Sequence, residues 1–309
     1  MDLALLTAKK ILEMFFILLI GAGTIKAGAA DGTTGSRMTS ILLYVVSPCV
    51  ILMSYQMEFD KQKLMGLLIT AVLSLASFSG AIAISKLVVP ARTGPDMAVE
   101  RMSIVYSNCG FIGIPLIHGL LGSEGVFYMT SYITVFNLFV WSHGIILMKG
   151  KTENLKAAVK NFIQPSNAAI LVGLIFYITG IRFPNVIAAP LEMIGNMNTP
   201  MAMLISGMNL AESDLLSSLR MPRTYLLSAA RLIFVPLVTL GVLLLFHADR
   251  IIAITVLAAA ACPSGAMGTM FALQYHKNSQ YASKLLTITT CLSLFTIPVI
   301  MLAAGRIFS

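Results

Sequence analysis

Two short stretches of this chain combine prolines, glycines and small polar residues in a way that frees backbone amides. They are Ser107-Asn108-Cys109-Gly110-Phe111-Ile112-Gly113-Ile114-Pro115 and Ala261-Cys262-Pro263-Ser264-Gly265-Ala266-Met267-Gly268. Proline lacks an N–H and clashes with the preceding turn, while glycine tolerates the unwound backbone that results. A helix that breaks at each stretch and restarts beyond it presents unpaired N–H groups and the positive end of its dipole. An anion is the natural occupant of a point where two such ends meet. Asn108, Ser107 and Ser264 would add side-chain groups there, Gly110, Gly113, Gly265 and Gly268 would allow close approach to the backbone, and Cys109 belongs to the same candidate site. Pro115 and Pro263 would set the breaks, with the first helix restarting at Pro115 and the second around Pro263. Two independent proline kinks satisfied by neighbouring helices is the plainer alternative. A matched pair favours a binding site over it.

Five further positions carry polar chemistry in apolar surroundings. Arg231 lies roughly nine residues into its apolar run, hence ~13 Å deep at 1.5 Å per residue. It is either a counter-charge for an anion or a donor to the carbonyls freed by the breaks, and it is also within reach of the interface. Asn137, and Thr199 before Pro200, either line a path or hydrogen-bond across helices. His143, near a helix end, reads as a satisfied interface histidine. Glu13 stands out as the acid inside an apolar run, so titratable groups near the site are scarce.

The elements that must hold these residues are membrane helices. Of 309 residues 57% are hydrophobic and 11% charged, and the mean hydropathy is +0.87, which excludes an ordinary soluble domain. The net charge of +8 is scattered among the connections rather than clustered on a face, which argues for topology and against a nucleic-acid partner. Cys49, Cys109, Cys262 and Cys291 have no metal or disulfide spacing and read as free thiols. Spans of about 20 apolar residues divide the chain into ten, with approximate cores 6–27, 38–55, 64–89, 97–121, 126–148, 168–181, 186–208, 225–246, 251–274 and 282–307.

Proline landmarks recur at closely similar offsets, Pro48 with Pro200 and Pro115 with Pro263. Five spans per half is an odd number, so the two halves enter the membrane from opposite sides. The expected fold is therefore all-α, with ten transmembrane helices in two inverted five-helix repeats and broken fourth and ninth helices that cross at prolines. Residues 1–150 form the first repeat, 151–165 a basic linker and 166–309 the second. Lysine and arginine weight the side holding Lys26, Arg37, Arg101, Arg220 and the linker, which places the linker in the cytoplasm and both termini outside. Lys9-Lys10 and the following apolar run imitate a signal peptide, but Glu13 and the symmetry favour a retained first helix.

The run Asn108 to Pro115 with Gly122, Gly125 and Asn137, the run Pro200 to Gly207, and Pro263-Ser-Gly-Ala with Ala272, Tyr275 and Ser293 to Pro298 together resemble the auxin efflux carrier family. That family includes plant auxin exporters and bacterial permeases for malate or malonate. The resemblance implies a fold shared with bile acid:sodium symporters. Helices one, two, six and seven would form a scaffold, often dimeric, and helices three to five and eight to ten a moving core. Substrate would bind beside the crossing and be carried by an elevator-like displacement across a plasma or bacterial inner membrane. The family asparagine before the first crossing corresponds to Asn108. The long hydrophilic loop of many plant members is missing.

The expectation is thus a carrier, not an enzyme, for a small organic anion, an auxin- or malate-like mono- or dicarboxylate, with no cofactor. Proton coupling, sodium coupling and potential-driven uniport all stay open, and a sodium-coupled bile-acid-type symporter is the alternative. A serine hydrolase using Ser264 with His118 or His143, and a channel, represent other classes.

Overall fold

The computed structural model describes residues 3–91, 94–150, 164–212 and 220–308, and all regular structure among them is helical apart from one isolated bridge. The helices are α1 (Leu3–Lys26), α2 (Gly32–Ser54), α3 (Lys61–Val88), α4 (Met97–Val105), α5 (Cys109–Lys149) and α6 (Pro165–Thr179). They are followed by α7 (Asn185–Asn196), α8 (Asn198–Glu212), α9 (Pro222–Leu245), α10 (Arg250–Ala261), α11 (Met267–Gln274) and α12 (Ser279–Ile307). The basic linker expected over 151–165 lies, apart from Gln164 and Pro165, outside the described residues.

Local chemistry explains where helices begin. Asp31 caps α2 by accepting from the Thr34 N–H at 2.8 Å, and Asp60 caps α3 through the Gln62 N–H at 2.7 Å. Asp249 and Asn278 do the same for α10 and α12, while Pro165 and Pro222 occupy first turns where a missing N–H costs nothing. Gly150 and Gly180 close α5 and α6 in the left-handed conformation.

By length and composition α2, α3, α5, α9 and α12 are long and apolar enough to cross a membrane, and α6 and α10 are shorter apolar helices. Large apolar side chains such as Leu68, Val72, Leu237, Phe295 and Val299 face outward. Such a surface suits lipid and not water. Hydroxyls along these helices return to their own backbone, as Thr70 does to the Gly66 carbonyl at 2.7 Å, which satisfies them without solvent.

Three wide, π-type turns directly precede prolines: Leu42–Val46 before Pro48, Cys109–Gly113 before Pro115 and Ala230–Phe234 before Pro236. Widening the turn moves the carbonyl that a proline ring would strike, so each helix passes its proline without breaking. Here the structure corrects the sequence expectation. Pro115 lies inside a continuous helix that has already restarted at Cys109, whereas Pro263 lies in the extended break and its helix restarts only at Met267.

The span expected over 186–208 is two helices joined at Met197, with Thr199 and Pro200 in the first turn of α8. The sequences around Pro48 and Pro200 meet, since the Ser47 hydroxyl donates to Asn198 Oδ1 at 3.2 Å. The stretch labelled α5 holds two helices, the second half of the expected fourth span and the fifth span. They join across Gly122, whose non-helical φ of 62° and ψ of −152° only glycine adopts readily. Helices α1 and α8 pack backbone to backbone at Gly21 and Gly207, where any Cβ would strike the Leu204 and Leu18 carbonyls respectively.

Candidate functional site

The two broken segments meet. Helix α4 ends at Val105 and α10 at Ala261, and the extended residues beyond them pair as an antiparallel bridge between Ser107 and Ser264. The Asn108 N–H donates to the Pro263 carbonyl at 2.7 Å, and the Gly265 N–H donates to the Tyr106 carbonyl at 2.8 Å. Neither segment has a helical partner for its backbone at this point. Each supplies the other's instead, which is how unwound backbone survives away from water. Gly265 is needed for this approach, because a Cβ there would come 2.9 Å from the Ser107 carbonyl oxygen.

Arg231 is the clamp beneath the bridge. It is 1% exposed, and its Nε donates to the Cys262 carbonyl at 3.1 Å. Nη1 donates to the Ile104 carbonyl at 2.8 Å and the Val105 carbonyl at 3.2 Å, and Nη2 donates to the Ala260 carbonyl. These carbonyls belong to the C-terminal ends of α4 and α10, the negative ends of two helix dipoles. Of the readings open to Arg231, the geometry matches the donor to freed carbonyls. The guanidinium faces the two helix ends that stop.

The restarts, at Cys109 in α5 and Met267 in α11, border one cavity of about 350 Å³. From the breaks come Asn108, Phe111, Ala266 and Thr269. From α2 come Ser36 and Thr39, and from α8 Ser206, Asn209 and Glu212. Helix α12 contributes Ser283, Thr287 and Thr290. The Asn108 side chain is half-buried and makes no hydrogen bond to the described residues, so its amide is free to meet a ligand. The Thr269 hydroxyl also lacks a partner among them. The described residues contain no group of three or more His, Cys, Asp or Glu arranged to hold a metal.

The other residues named from the sequence have different surroundings. Cys109, Gly113, Pro115, Pro263 and Ser264 are buried, forming the body of the paired breaks and not the cavity wall. Gly110 is half-buried at the α5 restart, and a Cβ there would meet nothing within 4 Å. The Ser264 hydroxyl donates to the Ser103 carbonyl at 2.8 Å and its N–H to the Thr289 hydroxyl at 3.2 Å, so no histidine is among its partners. His143 Nδ1 instead meets the Tyr106 hydroxyl at 2.8 Å, and His118 lines a second cavity of about 210 Å³ with Ser54, Gln56 and Glu192. Asn137 donates to Asn167 Oδ1 at 2.6 Å across helices, and neither it, Thr199 nor Pro200 lines the cavity. All four cysteines are free.

Sequence reasoning missed the walls contributed by α2, α8 and α12. A signal was present: Ser36 and Thr39, Ser206 and Asn209, and Ser283, Thr287 and Thr290 are spaced three or four apart, one polar stripe on each apolar helix. It also overlooked Glu100, an acid within the expected fourth span. Glu100 is buried, pairs with Arg223 at 2.9 and 2.7 Å, and accepts from the Tyr281 hydroxyl at 3.1 Å. That network ties α4, α9 and α12 together away from the cavity.

No curated protein matches the chain at a significant level. A family profile described as "Membrane transport protein" matches residues 6–301, nearly the whole chain. With its apolar, lipid-facing helices and their paired breaks, the chain is an integral multi-pass membrane protein that belongs to the membrane transport family of the auxin efflux carriers.

Proposed function

We propose that this protein is a secondary carrier for a small organic anion, bound in the 350 Å³ cavity beside the paired breaks. The observation that carries the reading is the backbone pairing of Asn108 with Pro263 and Gly265 with Tyr106, which turns two restarting helices toward one polar cavity. Two dipole ends of about half an elementary charge each match one carboxylate. Asn108, with its unengaged amide, orients it. Arg231 acts on the ligand through the breaks, as a positioning residue that holds both arms by their carbonyls. Cys109, Gly110, Gly113, Pro115, Pro263, Ser264 and Gly265 shape the arms. Asn137 bridges the moving α5 to Asn167 of the scaffold helix α6, a bond that translocation would break and remake, and Thr199 and Pro200 shape the first turn of the scaffold helix α8.

In this reading the chain forms ten spans in two inverted repeats, residues 1–150 and 166–309, whose broken helices cross at the breaks. The linker is cytoplasmic and both termini are extracytoplasmic. Helices α1, α2, α6, α7 and α8 form the scaffold, through which two copies associate, and the remainder moves as the transport core. The larger cavity lies at the N-terminal end of α2 and the smaller at its C-terminal end. An elevator displacement would pass the ligand from one side to the other with no cofactor, driven by a proton, by sodium or by the membrane potential.

Counterflow of labelled mono- and dicarboxylates in proteoliposomes tests this proposal. Saturable exchange is expected, and Asn108→Ala should lower it about tenfold, the effect of losing ~1.4 kcal/mol of binding. Unchanged exchange by a folded Asn108→Ala protein, or no exchange of any carboxylate, would overturn it.

A further inference from the structure

We infer that Glu212 makes this carrier selective for monocarboxylates over dicarboxylates, an inference that rests on the anion site proposed above. Four helix N-termini lie near the cavity, those of α2, α5, α11 and α12, and the α12 end is already capped by the Asn278 side chain. The α2 end is already occupied by acids of the chain. Asp31 caps it, and the Glu212 carboxylate packs against Gly32 so closely that a Cβ there would come 2.6 Å from Oε1. The Thr34 hydroxyl and N–H and the Thr33 hydroxyl hold the Asp31 carboxyl down at about 2, so it stays ionised at physiological pH. Only the α5 and α11 ends remain for a ligand, and together they offer about one elementary positive charge.

Among the described residues, no lysine or arginine lines the cavity. The one charged wall residue among the described residues is Glu212. Glu212 has no ion-pair partner among the described residues. A ligand with one carboxylate at the breaks can lay an apolar body against Phe111, Leu210, Met270 and Leu286. A second carboxylate meets Glu212. In a cavity of about 350 Å³ it cannot retreat beyond the ~10 Å over which salt screens charge.

The test is equilibrium binding to the purified full-length protein of hexanoate and adipate, equal in chain length and differing by one carboxylate, at pH 7.5. Wild type should prefer hexanoate at least tenfold, and Glu212→Gln should narrow that ratio at least fivefold. Glu212→Asp, which keeps the charge, should retain most of the preference. Preference for adipate by wild type, or an unchanged ratio in Glu212→Gln, would overturn this inference while leaving the anion site intact. Binding of neither ligand by wild type, with Asn108→Ala indistinguishable from it, would instead overturn the site itself.

Discussion

The two arms of the paired breaks solve one problem in unequal ways. The first arm breaks over Tyr106 to Asn108, restarts at once in a wide turn and carries its proline onward inside the helix. The second keeps its proline in the break, stays extended through Ser264 and restarts only at Met267. The first therefore delivers a free amide side chain to the cavity. The second delivers backbone, with its serine hydroxyl turned away to the Ser103 carbonyl. Pairing both arms needs only main-chain atoms, whereas telling one ligand from another needs side chains, so in the proposed carrier recognition would fall to the first arm and close packing to the second.

The shared clamp offers the most severe way to break this arrangement. Arg231→Met leaves the carbonyls of Ile104, Val105, Ala260 and Cys262 without their donor. Loss of ~3–5 kcal/mol is expected, on the scale of disrupting a buried charged network, and a fall in Tm on the order of 10 °C. Arg231→Lys should recover only part of it, because an ammonium cannot reach four carbonyls as a planar fork does. A Tm for Arg231→Met within about 2 °C of wild type would mean the arms do not depend on one clamp.

Paired glycine substitutions separate the arms directly. Gly265→Ala places a Cβ 2.9 Å from the Ser107 carbonyl oxygen and should destabilise by ~1–3 kcal/mol, as overpacking does. Gly110→Ala meets nothing within 4 Å and sits at a helix start, so its Tm should match or exceed wild type. Thermal unfolding of both in one detergent decides it; equal losses would erase the asymmetry. Alanine at the polar positions sharpens the contrast further. Asn108→Ala should weaken carboxylate binding about tenfold with a small change in Tm. Ser264→Ala should do the reverse, losing ~1 kcal/mol of stability with its hydrogen bond and weakening binding only a few-fold.

The smallest expected effect concerns the acid rim. Asp31 is held at about 2 against an ordinary 3.8, so its capping contribution is complete above pH ~4 and is lost as pH falls from there toward 2. Asp31→Asn should flatten the Tm profile between pH 4.5 and about 2.5 by a small amount, Asp31 being fully exposed. An unaltered profile would show that the cap carries no pH-dependent stability.

Much of this was readable from residue types. The apolar runs, the two breaks and Asn108 were legible because proline, glycine and a lone amide act locally, whatever surrounds them. Asp31, Asp60 and Asn278 likewise mark helix starts by capping that needs only a few neighbouring residues. The hydroxyl stripes on α2, α8 and α12 were visible as spacing, but which stripes share a wall depends on helices far apart in sequence. The role of Arg231 was undecidable for the same reason: the carbonyls it holds belong to helices from both halves of the chain.

Composition and proline placement alone determined that this is a membrane protein with two helices broken near corresponding positions, because hydrocarbon admits little besides satisfied helices and proline cannot donate. Tertiary structure decided where the breaks meet, at Ser107 and Ser264, with Pro263 inside the pairing and Pro115 outside it. It also gave Arg231 to the ends that stop and the cavity to the ends that restart. Those outcomes rest on hydrogen bonds between segments more than a hundred residues apart, as between Arg231 and the Ile104 carbonyl, and no local preference encodes them.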